Sequence, residues 1–212
     1  MTTYSLIKLN CPVCKTTFSS GSIGSCGFAS KRTDFRPNYW GMNPVEFFYH
    51  LCPQCGFCAS MKFIKKDIKH PEFIKKLKSL EPLNKENKLS EKLKRAAVCA
   101  ELMNELKIHL FNSFSLGNFW LEPYWWAEAD TNIKKYGKIV ISYFEKAFNE
   151  KMVPEDQIYC YKYLIGEICR RVGETKKANE FFDYVINELS DDTSNKFYQL
   201  AVQQRNDPKE DL

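Results

Sequence analysis

Two cysteine pairs of the same design constrain this chain more than any other feature: Cys-Pro-Val-Cys at residues 11–14 and Cys-Pro-Gln-Cys at residues 52–55. Each pair places two thiols on one tight turn, because proline after the first cysteine fixes φ near the value that such a turn needs. Together the pairs supply the four soft ligands of a closed tetrahedral zinc site. The sequence therefore predicts a structural Zn²⁺, with Cys11, Cys14, Cys52 and Cys55 as its candidate ligands.

Strand-like runs flank each pair, which we call a knuckle. Residues 4–9 and 16–18 surround the first knuckle, and residues 45–51 and 57–63 surround the second. Gly56 follows the second knuckle, where a left-handed residue commonly closes the turn, whereas Lys15 holds that place in the first. A strand–knuckle–strand unit that occurs twice in the sequence is typical of a zinc ribbon.

Other interpretations of the cysteines stay open. A Cys-x2-Cys pair can be a redox pair, although no strand–helix–strand pattern surrounds either copy. The Cys-x2-Cys-x2-Cys run at residues 52–58 begins like an iron–sulfur motif, but lysine stands at position 62; a single iron could also take the site. Cys26 or Cys58 could replace a ligand, although free cysteine is more often a small buried residue. His50 is better explained as packed or solvated than as a ligand.

The composition favours a globular, cytoplasmic protein. The chain has 212 residues, of which 44% are hydrophobic, enough for one large or two small domains. The N-terminus has no basic segment followed by an apolar stretch, so we expect no secretory signal and a reducing cytoplasm. No run approaches the roughly 18 apolar residues of a membrane span.

Charge is unequal between the two halves. Residues 1–80 hold 12 Lys+Arg and 4 Asp+Glu, whereas the rest of the chain is acidic. The basic stretches at residues 62–69 and 75–78, with Phe63 and Phe73 between them, could contact phosphates. A solvated helix face is the better explanation of them, because no base-reading motif accompanies the charge. Nucleic-acid binding is therefore the alternative function.

A polar segment at residues 79–90 divides the chain into two predicted domains. Residues 1–80 form a zinc-ribbon-like module, covered by a short helix that opens at Pro71. Residues 81–212 form a helical domain of five to seven helices, the first capped by Ser90 and ending near Leu110. The predicted fold class is α+β: a zinc-ribbon-like β module followed by an all-α tetratricopeptide-like domain.

The clearest repeat signal lies at residues 157–189. Gly166, Ala178 and Phe182 reproduce the spacing of a tetratricopeptide (TPR) helix pair, in which small residues let two helices approach closely. Phe197 and Ala201 would belong to a terminal helix that shields this pair.

A dense aromatic cluster lies beside Pro123. Such clusters usually fill a core, because each ring must bury a large apolar area. If some of its members are exposed, they indicate a groove for a peptide or another ligand. The cluster comprises Phe119, Trp120, Tyr124, Trp125 and Trp126.

The order of motifs resembles an uncharacterised bacterial family, domain of unknown function 2225. The resemblance rests on the two knuckles with Phe18 between them, the Thr-Asp-Phe run at residues 33–35 with Tyr39, the Asn-Pro pair at residues 43–44, and Gly56-Phe57 after the second knuckle. It implies the same four cysteine ligands and a helical, often TPR-like, C-terminal part. It implies no activity.

These features favour a non-enzymatic protein that binds another protein. A site with four protein ligands leaves no open position for water or substrate. The three histidines form no local motif, and the chain has neither a phosphate-binding glycine loop nor a nucleophile elbow. We expect an adaptor whose zinc module orients a helical-repeat surface toward a protein partner.

Overall fold

The computed structural model describes residues 3–83 and 88–212 and has the α+β architecture that the sequence predicts. Strands in the described N-terminal part form three separate antiparallel hairpins. These are β1 (Thr3–Asn10) with β2 (Thr17–Ser25), β3 (Phe28–Lys31) with β4 (Pro37–Tyr39), and β5 (Tyr49–Leu51) with β6 (Cys58–Ser60). The knuckles occupy the turns of the first and third hairpins, so each is enclosed by two paired strands.

The strands around the second knuckle are shorter than the sequence predicts. Residues Pro44–Phe47 form a 3₁₀ turn, because proline begins it and the Asn43 side chain accepts a hydrogen bond from the backbone N–H of Val45 at 3.1 Å. Beyond β6, residues Met61–Ile64 form the short helix α1. The predicted strand at 45–51 is therefore wrong at its start, and the predicted strand at 57–63 is wrong at its end.

Helices make up the rest of the described chain, and none of them is long and apolar enough to cross a lipid bilayer. After α1, the next helix is α2, which begins at Pro71 as predicted. Six α-helices follow residue 88, within the predicted five to seven. The helices are α2 (Pro71–Lys78), α3 (Leu89–Glu105), α4 (Ser113–Trp125), α5 (Asp130–Asn149), α6 (Ile158–Arg171), α7 (Thr175–Glu188) and α8 (Lys196–Asn206).

Helix α3 differs from its prediction at both ends. Lys88 holds the N-cap position, and Ser90 is buried inside the first turn. The helix stops at Glu105 because Lys107 adopts a left-handed φ of 54° and the chain turns away. Leu110, near which we expected the helix to end, therefore lies beyond it and is 75% exposed.

The predicted TPR-like pair is present as α6 and α7. A Cβ atom at Gly166 would lie 2.8 Å from Cε1 of Phe182, so only glycine permits this approach of the two helices. Ala178 is buried beside them, and Gly173 turns the chain with a φ of 88°. Helix α8 covers the pair with the buried Ala201.

Two apolar clusters form the interior. One lies among helices α3 to α8. The other surrounds the knuckles: Phe57 and Phe73 pack with Cys11 and Cys52, and the cluster extends to Met103 on α3. The predicted division between residues 80 and 81 stays a prediction, and residues 84–87 of the proposed boundary segment lie outside the described residues.

The aromatic cluster beside Pro123 is divided between core and surface. Trp120 and Tyr124 are 5% and 1% exposed, whereas Phe119, Trp125 and Trp126 are partly buried. Trp120 and Tyr124 therefore belong to the core of the helical part, and Phe119 and Trp125 pack against it.

Candidate metal centre

Backbone hydrogen bonds shape the first knuckle. The N–H of Cys11 donates to the carbonyl oxygen of Thr16 at 2.9 Å, and the N–H of Lys15 donates to the carbonyl oxygen of Cys11 at 3.0 Å. These two bonds close a loop that holds Cys11 and Cys14 on one side of the turn.

The second knuckle repeats both bonds at the same positions. The N–H of Cys52 donates to Phe57 O at 2.8 Å, and the N–H of Gly56 donates to Cys52 O at 3.0 Å. The matching residues therefore take the same left-handed conformation, with φ of 73° at Gly56 and 64° at Lys15. A side chain in that conformation costs roughly 1 kcal/mol. The Lys15 ammonium offsets part of this cost with hydrogen bonds to Pro12 O at 3.1 Å and Asp67 Oδ1 at 2.5 Å.

The two knuckles bring four sulfur atoms together. Cys11 Sγ lies 3.5 Å from Cys55 Sγ, Cys14 Sγ lies 3.6 Å from Cys52 Sγ, and all four lie within 4.8 Å of one another. A disulfide bond would be about 2.05 Å long, so these sulfurs are not joined. Zinc–sulfur bonds of about 2.3 Å in a tetrahedron place neighbouring sulfurs about 3.8 Å apart. The spacing fits a single ion with four thiolate ligands.

Thiol ionisation in the cluster is uneven. A hydrogen bond from the Cys55 thiol lowers the pKa of Cys11 to about 5 and raises the pKa of Cys55. Burial raises the pKa of Cys52 to about 11. One thiolate therefore forms readily, and the remaining protons leave when a cation binds, as thiolate ligation requires.

Arg95, on the apolar side of α3, supports the second knuckle. Its Nη1 donates to Gly56 O at 3.0 Å and its Nη2 donates to Glu81 O, while the residue is only 7% exposed. Arg95 lines the same cavity as Cys14 and Cys55, so its positive charge would offset part of the negative charge of four thiolates around one divalent ion. Sequence reasoning missed this residue, although an arginine among Leu93, Ala96 and Ala97 was a visible signal.

The alternative ligands lie elsewhere. Cys26 is exposed, and the buried Cys58 thiol donates to Lys92 O at 3.5 Å. His50 is buried with its Nδ1 2.8 Å from Ser20 Oγ, and burial lowers its pKa. In residues 3–83 and 88–212, no other group of three or more His, Cys, Asp or Glu side chains converges on one point. The four cysteines of the knuckles could hold a metal ion.

Comparison with known proteins places the whole chain in one family. Residues 5–207 match the family model described as an uncharacterized protein conserved in bacteria (DUF2225). The chain belongs to the DUF2225 family. No curated protein and no solved structure matched it. The resemblance noted from the knuckle motifs is thereby confirmed, and the DUF2225 match adds no activity to it.

A second feature of this DUF2225 chain is a cleft between β5 and α4. The cleft has a volume of about 410 Å³, and Tyr49, Phe119 and Trp125 form part of its wall. Glu122 lies in it, and burial raises the pKa of this carboxyl to about 7. Burying the protonated carboxyl among aromatic rings costs less free energy than burying the carboxylate, because the neutral form needs less solvation.

The raised pKa predicts how stability changes with pH. The folded pKa of Glu122 lies above its unfolded value, so ionisation disfavours the fold, and its stabilising effect is lost as pH rises through about 7. Between pH 4 and 8 this group should lower the free energy of unfolding by about 3 kcal/mol. Glu122→Gln should remove that part of the decline, measured by urea unfolding across this range.

An exposed glutamate supplies the control. Glu188→Gln on α7 should leave the pH dependence of the wild-type chain unchanged. Equal slopes for Glu122→Gln and the wild type would contradict the assignment.

Proposed function

We propose that this chain is a non-enzymatic adaptor protein that contains a structural zinc ion and binds a protein partner through its helical part. The observation that carries the proposal is the cluster of four sulfurs within 4.8 Å, all supplied by the chain. A four-thiolate site leaves no position for water or substrate, so the ion would stabilise the fold and not catalyse a reaction.

Zinc would act mainly on the N-terminal half. Structural zinc in small domains contributes on the order of 10 kcal/mol to folding. The three hairpins have only two strands each, too few for independent stability in water. The four knuckle cysteines would join the first and third hairpins through one ion. The ion would thereby also hold the apolar cluster around the knuckles against α3.

The helical part offers a surface for a partner. The α6–α7 pair has TPR-like spacing, and proteins of that type bind extended segments on stacked helix pairs. Tyr184 on α7 is 39% exposed, with its ring 4.8 Å from the Lys162 ammonium. Exposed aromatic side chains of this kind are common anchors in protein interfaces.

Crosslinking in the native bacterial host tests the adaptor proposal. We expect the wild-type chain and Cys26→Ser, which changes an exposed cysteine outside the cluster, to capture the same protein. Tyr184→Ala should lose it, because this exposed ring on α7 is the proposed anchor for the partner. Nuclease treatment before capture separates the two candidate functions.

A protein that remains crosslinked after nuclease treatment supports the adaptor. Capture that depends on nucleic acid would contradict it and would favour the alternative, contact of phosphates by exposed Lys62, Lys65 and Lys66. Equal capture by Tyr184→Ala would contradict a partner site on this face of α7.

A further inference from the structure

A cleft lined by arginines lies where the segment at Arg32 meets the helical part. Its volume is about 280 Å³, and we call it the arginine cleft. Its polar wall comprises the guanidinium groups of Arg32, Arg170 and Arg171 together with Tyr124 and Glu210. Ala127 and Ile133 complete the lining.

Two buried carboxylates fix the guanidinium groups in place. Arg32 forms a bidentate pair with Asp34, and Arg171 Nε donates to Glu167 Oε1 at 2.7 Å. Asp34 and Glu167 are fully buried. Guanidinium groups held in this way are preorganised to bind an oxyanion, because little side-chain freedom is left to lose.

Glu210 already demonstrates what the arginine cleft recognises. Its Oε1 lies 2.9 Å from Arg170 Nη2, and its Oε2 lies 2.6 Å from Arg171 Nη1. Burial alone would raise the pKa of Glu210, but hydrogen bonds from Arg170 and the charge of Arg171 outweigh burial and lower it. The side chain is nevertheless 64% exposed, so this carboxylate lies at the rim.

The backbone holds the C-terminal segment independently of that carboxylate. Thr33 N–H donates to Glu210 O at 3.0 Å, and Leu212 N–H donates to Lys31 O at 2.9 Å. Gln204 exchanges two hydrogen bonds with the backbone of Lys209. The Glu210 side chain can therefore leave the arginines while the segment stays in position.

Charge balance requires a replacement when it leaves. Three guanidinium groups face three carboxylates while Glu210 is in place, and only the buried Asp34 and Glu167 remain without it. One positive charge is then uncompensated in a partly buried cleft, where an unpaired charge is costly. A soluble oxyanion would restore the balance.

A residue that lines the arginine cleft also carries a buried polar group with no partner. Tyr124 lines the cleft and is 1% exposed, and its hydroxyl has no hydrogen-bond partner in the described part of the chain. An unsatisfied buried hydroxyl costs free energy unless a ligand or water completes it. It would donate to an oxygen of the bound anion.

We propose that the arginine cleft binds a small oxyanion, a phosphate or a carboxylate group, in place of the Glu210 carboxylate. Arg170 and Arg171 hold its oxygens, and the Tyr124 hydroxyl donates to one of them. Glu210 acts as a built-in competitor that keeps the affinity of the resting protein low.

Calorimetric titration of the full chain tests this, with inorganic phosphate in one arm and succinate in the other, at constant ionic strength. Glu210→Gln should bind at least one of these anions about tenfold more tightly than the wild type, because it keeps the side-chain shape and removes the competing charge. Adding Arg170→Gln should abolish the gain. Adding Arg205→Gln, which changes an exposed arginine paired with Asp183, should preserve it.

Tyr124→Phe separates binding from a structural role. It should weaken anion binding about tenfold, because hydrogen bonds to charged groups are strong. It should leave the melting temperature unchanged or higher, because an unpaired buried hydroxyl is removed. Phosphate binding shows that the cleft prefers a tetrahedral anion, and succinate binding that it prefers a carboxylate.

Failure of both anions to bind Glu210→Gln more tightly than the wild type would overturn the proposal. The double variants Glu210→Gln/Arg170→Gln and Glu210→Gln/Arg205→Gln should differ in anion affinity. Equal affinities for the two would also overturn the proposal, because the anion would then not lie in the arginine cleft.

Discussion

Cys52→Ser is expected to remove zinc from the protein and to unfold the N-terminal half. Cys52 is fully buried, its Sγ lies 3.6 Å from Cys14 Sγ, and its backbone closes the second knuckle. Loss of one thiolate from a four-thiolate site forfeits much of a metal-binding free energy on the order of 10 kcal/mol. A whole domain is stable by only about 5–15 kcal/mol, so the hairpins should not survive.

Hydrogen exchange should locate the change. Protection should disappear from the first and third hairpins and from α2, because Phe57 and Phe73 share one apolar cluster with Cys52. Residues 32–36 should keep theirs, because buried contacts hold them against α6. The interior of α5 to α7 should keep its protection, because its cluster contains no residue of the knuckles. Metal analysis should find one zinc per wild-type chain and none in Cys52→Ser.

Cys26→Ser is the matched control, since Cys26 is exposed and lies outside the sulfur cluster. It should retain one zinc and wild-type protection. A Cys52→Ser chain with full zinc content and protected hairpins would contradict the assignment of the site. Iron instead of zinc in the wild-type protein would keep the site and change the ion.

The sulfur cluster could be predicted because its determinants are local. Two residues separate the cysteines within each pair, and proline and the left-handed position fix each turn by short-range sterics. Only the pairing of the two turns is long-range, and the preference of zinc for four soft ligands supplies it. The left-handed Lys15 shows that the turn overrides the usual penalty of a side chain.

Features that depend on distant partners were not predictable. Thr33 and Glu167 are 134 residues apart, yet Thr33 Oγ1 donates to Glu167 Oε1 at 2.6 Å. No periodicity marks such a pair, since a buried carboxylate on a helix looks like a solvated one until its partners are known. The end of α3 was missed for a different reason: it is set by the left-handed backbone at Lys107, which the apolar stripe does not reveal.

Glu167→Gln is expected to cause the largest loss of stability in the helical part. The carboxylate is fully buried, and it accepts hydrogen bonds from Arg170 Nε at 2.8 Å, Arg171 Nε at 2.7 Å and the Thr33 hydroxyl. The amide keeps the size of the side chain but leaves two guanidinium groups without their shared counter-charge. Breaking a buried ion pair in this way typically costs about 3–5 kcal/mol.

The same substitution at an exposed ion pair gives the comparison, and urea unfolding in phosphate-free buffer measures both. Glu145 pairs with Lys177 at 2.8 Å, and both side chains are more than a third exposed. Glu145→Gln should cost less than about 1 kcal/mol, because solvent screens exposed pairs. Equal losses in the free energy of unfolding for the two variants would show that the buried ion pairs of Glu167 contribute no more to stability than the exposed pair of Glu145. A larger loss at Glu167 would establish this carboxylate as the link that fastens the segment at residues 32–36 to α6.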